Sequence, residues 1–255
     1  LPFGAVTLTD LFKADVSNPQ ERAQKIEDFI SDQLEKVTWL DSVEPDTAFV
    51  GVGGSFRNLG RISRMITKYP FNMTHNYELN VSDFENIYNT IRKLDLNSTM
   101  KIKGLSSGRA DIFPSALAVM KAVLKRFEFQ KITISGCGLR EGAMFRYAVP
   151  SITERPLSDV LGHSLYTQMK YFDINIDHAE HVYNLSIQLF KQLKVLHKMP
   201  RSYVRVLKIA ALLHDSGMRI KFYNHQLHSQ YIILNSNLYG VPHKEIVLAS
   251  LVAYG

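Results

Sequence analysis

Glycines closely followed by an arginine occur twice in this chain, as Gly51-Val52-Gly53-Gly54-Ser55-Phe56-Arg57-Asn58-Leu59 and Ser135-Gly136-Cys137-Gly138-Leu139-Arg140-Glu141-Gly142. Each stretch follows a short run with β-branched residues, Phe49-Val50 or Ile132-Thr133-Ile134, and precedes an apolar pattern of helical period. Strand, glycine turn and helix start together aim backbone N–H groups and the positive end of a helix at phosphate. Gly53, Gly54, Ser55 and Arg57 of the first turn, with Gly138 and Arg140 of the second, are therefore candidate phosphate-binding residues. Ser55 is placed to cap the following helix, and Arg61, one turn beyond Arg57, faces either phosphate or solvent. Neither common nucleotide signature is present: Phe56 stands where a dinucleotide fingerprint needs its third glycine, and no Gly-Lys-Ser/Thr occurs.

Two carboxylates accompany these cations. Arg109 and Asp111, in Gly104-Leu105-Ser106-Ser107-Gly108-Arg109-Ala110-Asp111, fall at the start of a long helical pattern. There Arg109 is a phosphate-side cation and Asp111 a metal-shell carboxylate; the alternative is a helix cap paired with its arginine. Glu141 beside Arg140 is a candidate to order a magnesium-bound water, against the plainer reading of a solvated first turn. Asp111 and Glu141 are thus supporting catalytic candidates. Cys137, between glycines and with no base nearby in sequence, reads as a small packing residue.

A different grouping lies further on. His178, then His214-Asp215 at the end of the apolar run Ala210-Ala211-Leu212-Leu213, then His225 and His228, have the spacing of a histidine–aspartate metal site. Imidazoles and a carboxylate from separate helices can hold a divalent ion that activates water for phosphoester cleavage. His178, His214 and Asp215 are the candidate metal ligands, and a hydrogen-bonded histidine cluster is the alternative. His163, His181, His197 and His243 read as surface or packing residues.

The elements that must hold these groups can be read from periodicity. Glu21 to Val37 carries Ile26, Phe29, Ile30, Leu34 and Val37 at helical spacing, and Asn58 to Ile66 continues as a helix. Residues 77–81 alternate as a strand, after which Ser82 and Glu85 form a capping box for a helix reaching Leu94. A helix over Ser107 to Phe127 has Pro114 in its first turn or at a kink. Lys131 to Ser135 is a strand, and Leu139 to Ala148 a helix. Strands alternating with helices predict an α/β domain over residues 1–150. Pro150, Pro156 and the polar stretch between them mark a boundary. Residues 151–255 then read as all-α, with helices at His178 to Leu196, Tyr203 to His214, His228 to Leu238 and His243 to Tyr254.

Composition bounds the function classes. Hydrophobic content of 45% and charged content of 21% belong to a globular protein with real cores. No apolar run approaches the roughly 18 residues of a membrane span, and Leu1-Pro2-Phe3-Gly4 is not a signal peptide. The lone Cys137 excludes an intrachain disulfide and fits a reducing cytoplasm. Residues 1–150 hold 19 Lys+Arg against 17 Asp+Glu, and residues 151–255 hold 11 against 7, so the helical part is the more basic. Such a surface favours polyanions, although a basic balance alone requires none.

Taken together, these segments resemble the exopolyphosphatase/guanosine pentaphosphate phosphohydrolase (Ppx/GppA) family over essentially the whole chain. The carriers are Leu1 to Thr9, the turns at 51–59 and 135–142, Gly104 to Ile112, and His178, His214-Asp215 and Asn224 to Ser229. The resemblance implies an actin-like ATPase (ribonuclease H-like) α/β lobe followed by an all-α helical domain of the histidine–aspartate type. It implies hydrolysis of terminal phosphoanhydrides of inorganic polyphosphate, or of guanosine pentaphosphate, with Mg2+, and homodimerisation. Neither a membrane nor a specific nucleic acid is expected as partner. The first lobe and the catalytic glutamate are expected to precede Leu1, and the helical domain to extend past Gly255. Where the family often has His-His, this chain has His225-Gln226. A basic helical domain that guides a long polyanion follows from that departure. Two other classes remain: a metal-dependent phosphohydrolase centred on His178, His214 and Asp215, and a non-catalytic polyphosphate or nucleotide sensor.

Overall fold

The computed structural model of the protein describes residues 2–13, 17–44, 47–149 and 157–255. Backbone contacts divide the chain into two compact units, Leu1–Ala148 and Val149–Gly255. The Pro150–Pro156 stretch expected as a boundary lies outside the described residues, as does Leu1.

Unit 1 runs α1 (Ala5–Lys13), α2 (Pro19–Glu35), β1 (Phe49–Gly51), α3 (Gly54–Ile66), β2 (Tyr77–Asn80), α4 (Val81–Ile91), α5 (Leu96–Met100), α6 (Phe113–Phe127), β3 (Lys131–Ile134) and α7 (Leu139–Ala148). The three strands form one sheet in the order β1-β3-β2. β1 pairs parallel with β3, with Gly51 opposite Ile134, while β2 pairs antiparallel with it. Ile132 and Ile134 on the central strand are fully buried, as are Leu59 of α3 and Phe84 of α4. Helices α2 and α6 pack closely, and Ile26 and Ile30 of α2 share one buried core with Leu117 and Ala118 of α6. Apolar spacing accounts for α2, α3, α4 and α6, each of which buries the stripe that its sequence provides, whereas α7 has no buried residue.

Local capping departs from expectation at three places. Helix α3 starts at Gly54 with Gly53 as its N-cap, and no side chain caps it. Gly53 has φ 111 and ψ 179, which is essentially glycine-only backbone, so the turn ends there and Ser55 falls inside the helix. Helix α4 starts at Val81, whose N–H is already taken by Gln130 O at 3.0 Å, so the Ser82–Glu85 capping box does not form. Glu85 instead meets Lys121 of α6 at 2.5 Å. Residues Ser107–Arg109 make a separate 3-10 turn, and α6 begins only at Phe113 with Pro114 in its first turn. Proline suits that position because the N–H it lacks has no helical partner there.

Unit 2 is helical in all its described elements: α8 (Val160–Tyr171), α9 (Ile176–Gln192), α10 (Lys194–His197), α11 (Tyr203–Leu213), α12 (His225–Asn235) and α13 (His243–Tyr254), with a 3-10 turn at Ser216–Arg219. Helix α11 is the centre, packing against α8, α9 and α13, and it buries Val206, Ile209 and Leu213. The apolar stripe of α9 forms, yet only Ala179 on that helix is buried, and Leu185 and Leu189 are exposed. His243 is buried and His197 stacks on Phe190, while His163 and His181 are exposed. Among the described residues, no helix is long and apolar enough to cross a membrane.

Candidate functional site

Parallel pairing of β1 with β3 places the two glycine turns side by side, because both leave the carboxyl ends of neighbouring strands. The ladder extends into the turns through Ser135 N–H, which donates to Gly51 O at 2.9 Å. Arg57 then joins them directly: its Nη1 donates to Gly136 O at 3.2 Å. In parallel sheets the crevice outside the carboxyl ends of the strands is where ligands bind.

The first turn offers the start of a helix. The N–H groups in the opening turn of α3 have no acceptor within the helix, so they and the helix dipole favour an anion. Arg109 comes to the same place from the 3-10 turn at 107–109. A Cβ on Gly54 would lie 2.5 Å from Arg109 Cζ, so glycine is what lets the guanidinium lie against the helix start. Ser106 Oγ donates to buried Asn58 Oδ1 at 2.9 Å, holding the 104–111 segment to α3. Gly53, Gly54, Arg57 and Arg109 are therefore brought together; Ser55 lies one residue inside the helix, and Arg61 points to solvent.

The second turn is differently arranged. Glu141 Oε2 accepts the Gly138 N–H at 2.8 Å, so the carboxylate caps α7 from its third position. Its own N–H and that of Gly138 hold the Glu141 carboxyl below the usual carboxylate range, and Arg140 and Arg57 add to this. The Gly138 N–H expected to meet phosphate is thus taken by a side chain. Arg140 is exposed on the same first turn. Asp111 is directed elsewhere: it lines a groove with Asp10, Lys13, Arg22 and Asp95, and its Oδ1 accepts the Ile112 N–H. Cys137 is partly buried and reduced.

Sequence reasoning missed His75, whose Nδ1 accepts the Gly136 N–H at 3.2 Å. Its sole signal was being the one histidine of the first 150 residues. Arg64 was missed too, since a buried arginine at a helical core position has no pattern of its own.

In unit 2 the end of α11 and the start of α12 converge. Asp215 faces three imidazoles: His178 Nε2 at 3.6 Å, His214 Nε2 at 3.4 Å and His225 Nε2 at 3.4 Å. Ligand atoms of His178, His214 and Asp215 all lie within 4.8 Å of one another. His214 Nδ1 bonds Ala211 O at 2.9 Å, and His225 Nδ1 bonds Phe222 O at 3.0 Å. A carbonyl only accepts, so both Nδ1 atoms carry hydrogen and both Nε2 atoms turn toward the carboxylate. Ser229 fastens α12 to this corner, donating to His214 O and accepting the Gly217 N–H at 2.9 Å. His228 is outside the cluster; it packs against Gly217.

Residues 1–149 match the Ppx/GppA phosphatase family, and residues 163–255 match domain III of that family. The chain belongs to the Ppx/GppA phosphatase family. It is 28% identical over 155 residues to a guanosine-5'-triphosphate,3'-diphosphate pyrophosphatase of Aeromonas salmonicida, covering 60% of this chain and 30% of that protein. The Aeromonas hydrophila protein of the same name is 27% identical over 155 residues, with the same coverage. The fold is shared with an exopolyphosphatase from Cytophaga hutchinsonii at 20% identity and a TM-score of 0.53, covering 60% of this chain and 49% of that one. The chain thus spans about a third to a half of the length of these relatives.

Proposed function

We propose that unit 1 is the anion-gripping side of a phosphoanhydride hydrolase that removes terminal phosphate from inorganic polyphosphate. The observation that carries this is Arg57 bridging two glycine turns on adjacent parallel strands, with Arg109 against the start of α3. Water attack on a terminal phosphoryl group needs alignment and charge neutralisation more than covalent chemistry. The helix start and Arg57, Arg109 and Arg140 supply cationic character for that purpose. Phe56, the aromatic residue of the first turn, packs against Phe49 with centroids 5.9 Å apart, so it is not presented as a platform for a base. This favours polyphosphate over guanosine pentaphosphate, the substrate class suggested by the named Aeromonas relatives. A sensor that binds without hydrolysis is the remaining alternative.

Within this reading, unit 1 is part of an actin-like lobe, and Mg2+ accompanies the phosphates as counter-charge. The residues present do not build a shell for that ion: Glu141 is given to α7 and Asp111 to another groove, so no step is drawn through it. Among the described residues, the carboxylate beside the two turns, Glu141, is engaged as a helix cap and so is not free as a general base. The expected outcome is that the 255-residue chain binds linear polyphosphate without releasing phosphate. Replacing Arg57 and Arg109 together by Ala should weaken binding by about tenfold or more. Unchanged binding in that variant overturns the crevice, and phosphate release by the chain overturns the missing base.

A second reading is favoured by the geometry at Asp215. With both Nδ1 atoms donating to carbonyls, neutral His214 and His225 would aim two lone pairs at one carboxylate oxygen. Either protons or a divalent cation must fill that space. His178, His214, His225 and Asp215 are a nitrogen-rich donor set suited to a transition metal rather than Mg2+, and carbonyl-fixed Nδ1–H groups are the usual support for imidazole ligands. Such an ion would lower the pKa of a bound water. Elemental analysis tests this: one transition metal per chain, lost in His214→Ala, is expected, and a metal-free protein overturns it. In that case the basic helical unit is left with the role of guiding a polyanion.

A further inference from the structure

Gly136 is held through both of its backbone polar groups, its carbonyl by Arg57 and its N–H by His75 Nδ1. No ligand role is needed to see how the second grip is built. The segment after α3, residues 68–76, has no helix or strand, and Arg64 organises it from inside. This arginine is 7% exposed and reaches Met73 O at 2.8 Å, Thr74 Oγ1 at 3.1 Å and Asn72 Oδ1 at 3.3 Å, besides longer bonds to Phe71 O and Gly60 O. Its acceptors here are neutral oxygens, and its guanidinium lies 5.9 Å from the Tyr77 ring centroid. Asn76 follows in the left-handed region and donates its N–H to Ile134 O at 2.8 Å, which docks the segment on the end of β3. His75 is thereby delivered to Gly136 at backbone contact distance: a Cβ on Gly136 would lie 2.8 Å from His75 Cβ and 3.2 Å from its Cα.

We propose that His75 is a positioning residue for the second phosphate turn, held by Arg64 and acting through the Gly136 N–H. With Nδ1 unprotonated it accepts that N–H and fixes the Ser135–Gly136 peptide, while Arg57 holds the carbonyl of the Gly136–Cys137 peptide; together they orient Gly136, from which the turn carrying Gly138 and Arg140 departs. Protonation at Nδ1 removes the acceptor, places two N–H groups face to face and releases the Ser135–Gly136 N–H, leaving Gly136 held by Arg57 alone. The charged and titratable groups on the elements around this contact are Arg57, Arg61 and Arg64 of α3, Lys68 and Tyr69 of the 68–76 segment, Tyr77 and Glu78 of β2, Lys131 of β3, Cys137 of the second turn, and Arg140, Glu141, Arg146 and Tyr147 of α7. Arg57 and Arg140 lie near enough to act electrostatically on Glu141. The geometry of the Gly136 peptide stands by itself; its effect on affinity rests on the polyphosphate reading above.

Two measurements on the full 255-residue chain test this separately. The first follows the Gly136 amide and the His75 ring by NMR from about pH 5 to about pH 8, the range in which histidines titrate. The Gly136 amide should move with the same midpoint as the His75 ring, and the step should vanish in His75→Asn, which keeps an acceptor but does not titrate. The second measures linear polyphosphate binding at about pH 8, where His75→Ala should lose about fivefold, as expected for one hydrogen bond, and His75→Asn should restore it. A Gly136 amide that ignores His75 titration overturns the contact. So does an affinity that is the same in His75→Ala, His75→Asn and the unaltered chain. Absence of polyphosphate binding in every form, with the Gly136 step intact, would sink the phosphate reading and uphold the positioning.

Discussion

Adjacent glycines in the first turn should respond oppositely to a single methyl group. The nearest atoms that a Cβ at Gly54 would meet are those at the end of the Arg109 side chain, 2.5 Å from Cζ and 2.6 Å from Nη2. A flexible side chain can move, so Gly54→Ala should leave stability within about half a kcal/mol while pushing the guanidinium off the helix start. An arginine about 4 Å from phosphate contributes from about 1 kcal/mol in bulk water to about 4 kcal/mol at a protein surface, and doubling the distance halves either value. The loss is then about 0.5–2 kcal/mol, a weakening of roughly twofold to thirtyfold in polyphosphate affinity. At Gly53 a new Cβ meets no atom within 4 Å, but φ 111 is strained for any L side chain. Gly53→Ala should therefore cost about 1–3 kcal/mol of stability. Urea unfolding combined with calorimetric polyphosphate titration, at one fixed salt concentration, measures both. The decisive comparison is a double-mutant cycle with Arg109→Ala: if Gly54→Ala acts by displacing that side chain, it has no further effect once the side chain is gone. An equal loss in the Arg109→Ala background would refute the reasoning.

Other expectations follow from packing and charge. Ile134→Ala, on the fully buried central strand, should destabilise the protein by about 2–5 kcal/mol, lowering the urea midpoint with little change in slope. Burial raises the Glu27 carboxyl above 4.5, against the opposing hydrogen bond from Tyr88 and the charge of Arg92. A raised carboxyl favours its protonated form on folding, so stability is present at low pH and declines as pH rises through the folded value. Thermal melts of Glu27→Gln, which cannot ionise, should accordingly gain on the unaltered protein as pH rises from about 4.5 and then level off; a gap independent of pH would contradict this. Ser229→Ala removes the hydroxyl that ties α12 to His214 O and the Gly217 N–H, and should cost about 1–3 kcal/mol while lowering any metal content measured at the histidine cluster.

Periodicity made α2, α3, α4 and α6 of unit 1 legible because each buries the face its own residues mark out. Helix α7 falls on Leu139–Ala148 and α13 on His243–Tyr254, as the spacing indicates. Helix starts were less legible. Ser55 and Ser82 have the right chemistry for caps, but a glycine-only dihedral at Gly53 and the bond from Val81 N–H to Gln130 O accompany helix starts elsewhere. Helix α8 has weak amphipathic marking and α1 lies beside polar residues, so neither stood out before its partners in the fold were known. At the candidate sites, residue types were readable and their employment was not: Glu141 looked like a metal carboxylate and is a helix cap.

Residue order alone determined that two glycine turns would each open a helix after a strand, that arginines would accompany them, and that histidines would gather near an Asp in a helical region. These are local properties, set by backbone freedom and side-chain period within a few residues. Tertiary structure decided that β1 and β3 lie side by side and parallel, which brings two separate turns together. It also decided that His75, some sixty residues from Gly136, would take the N–H of that turn. Hydrogen-bond partners far apart along a chain are chosen by the sheet and the packing that carry them, and no short stretch of sequence encodes that choice.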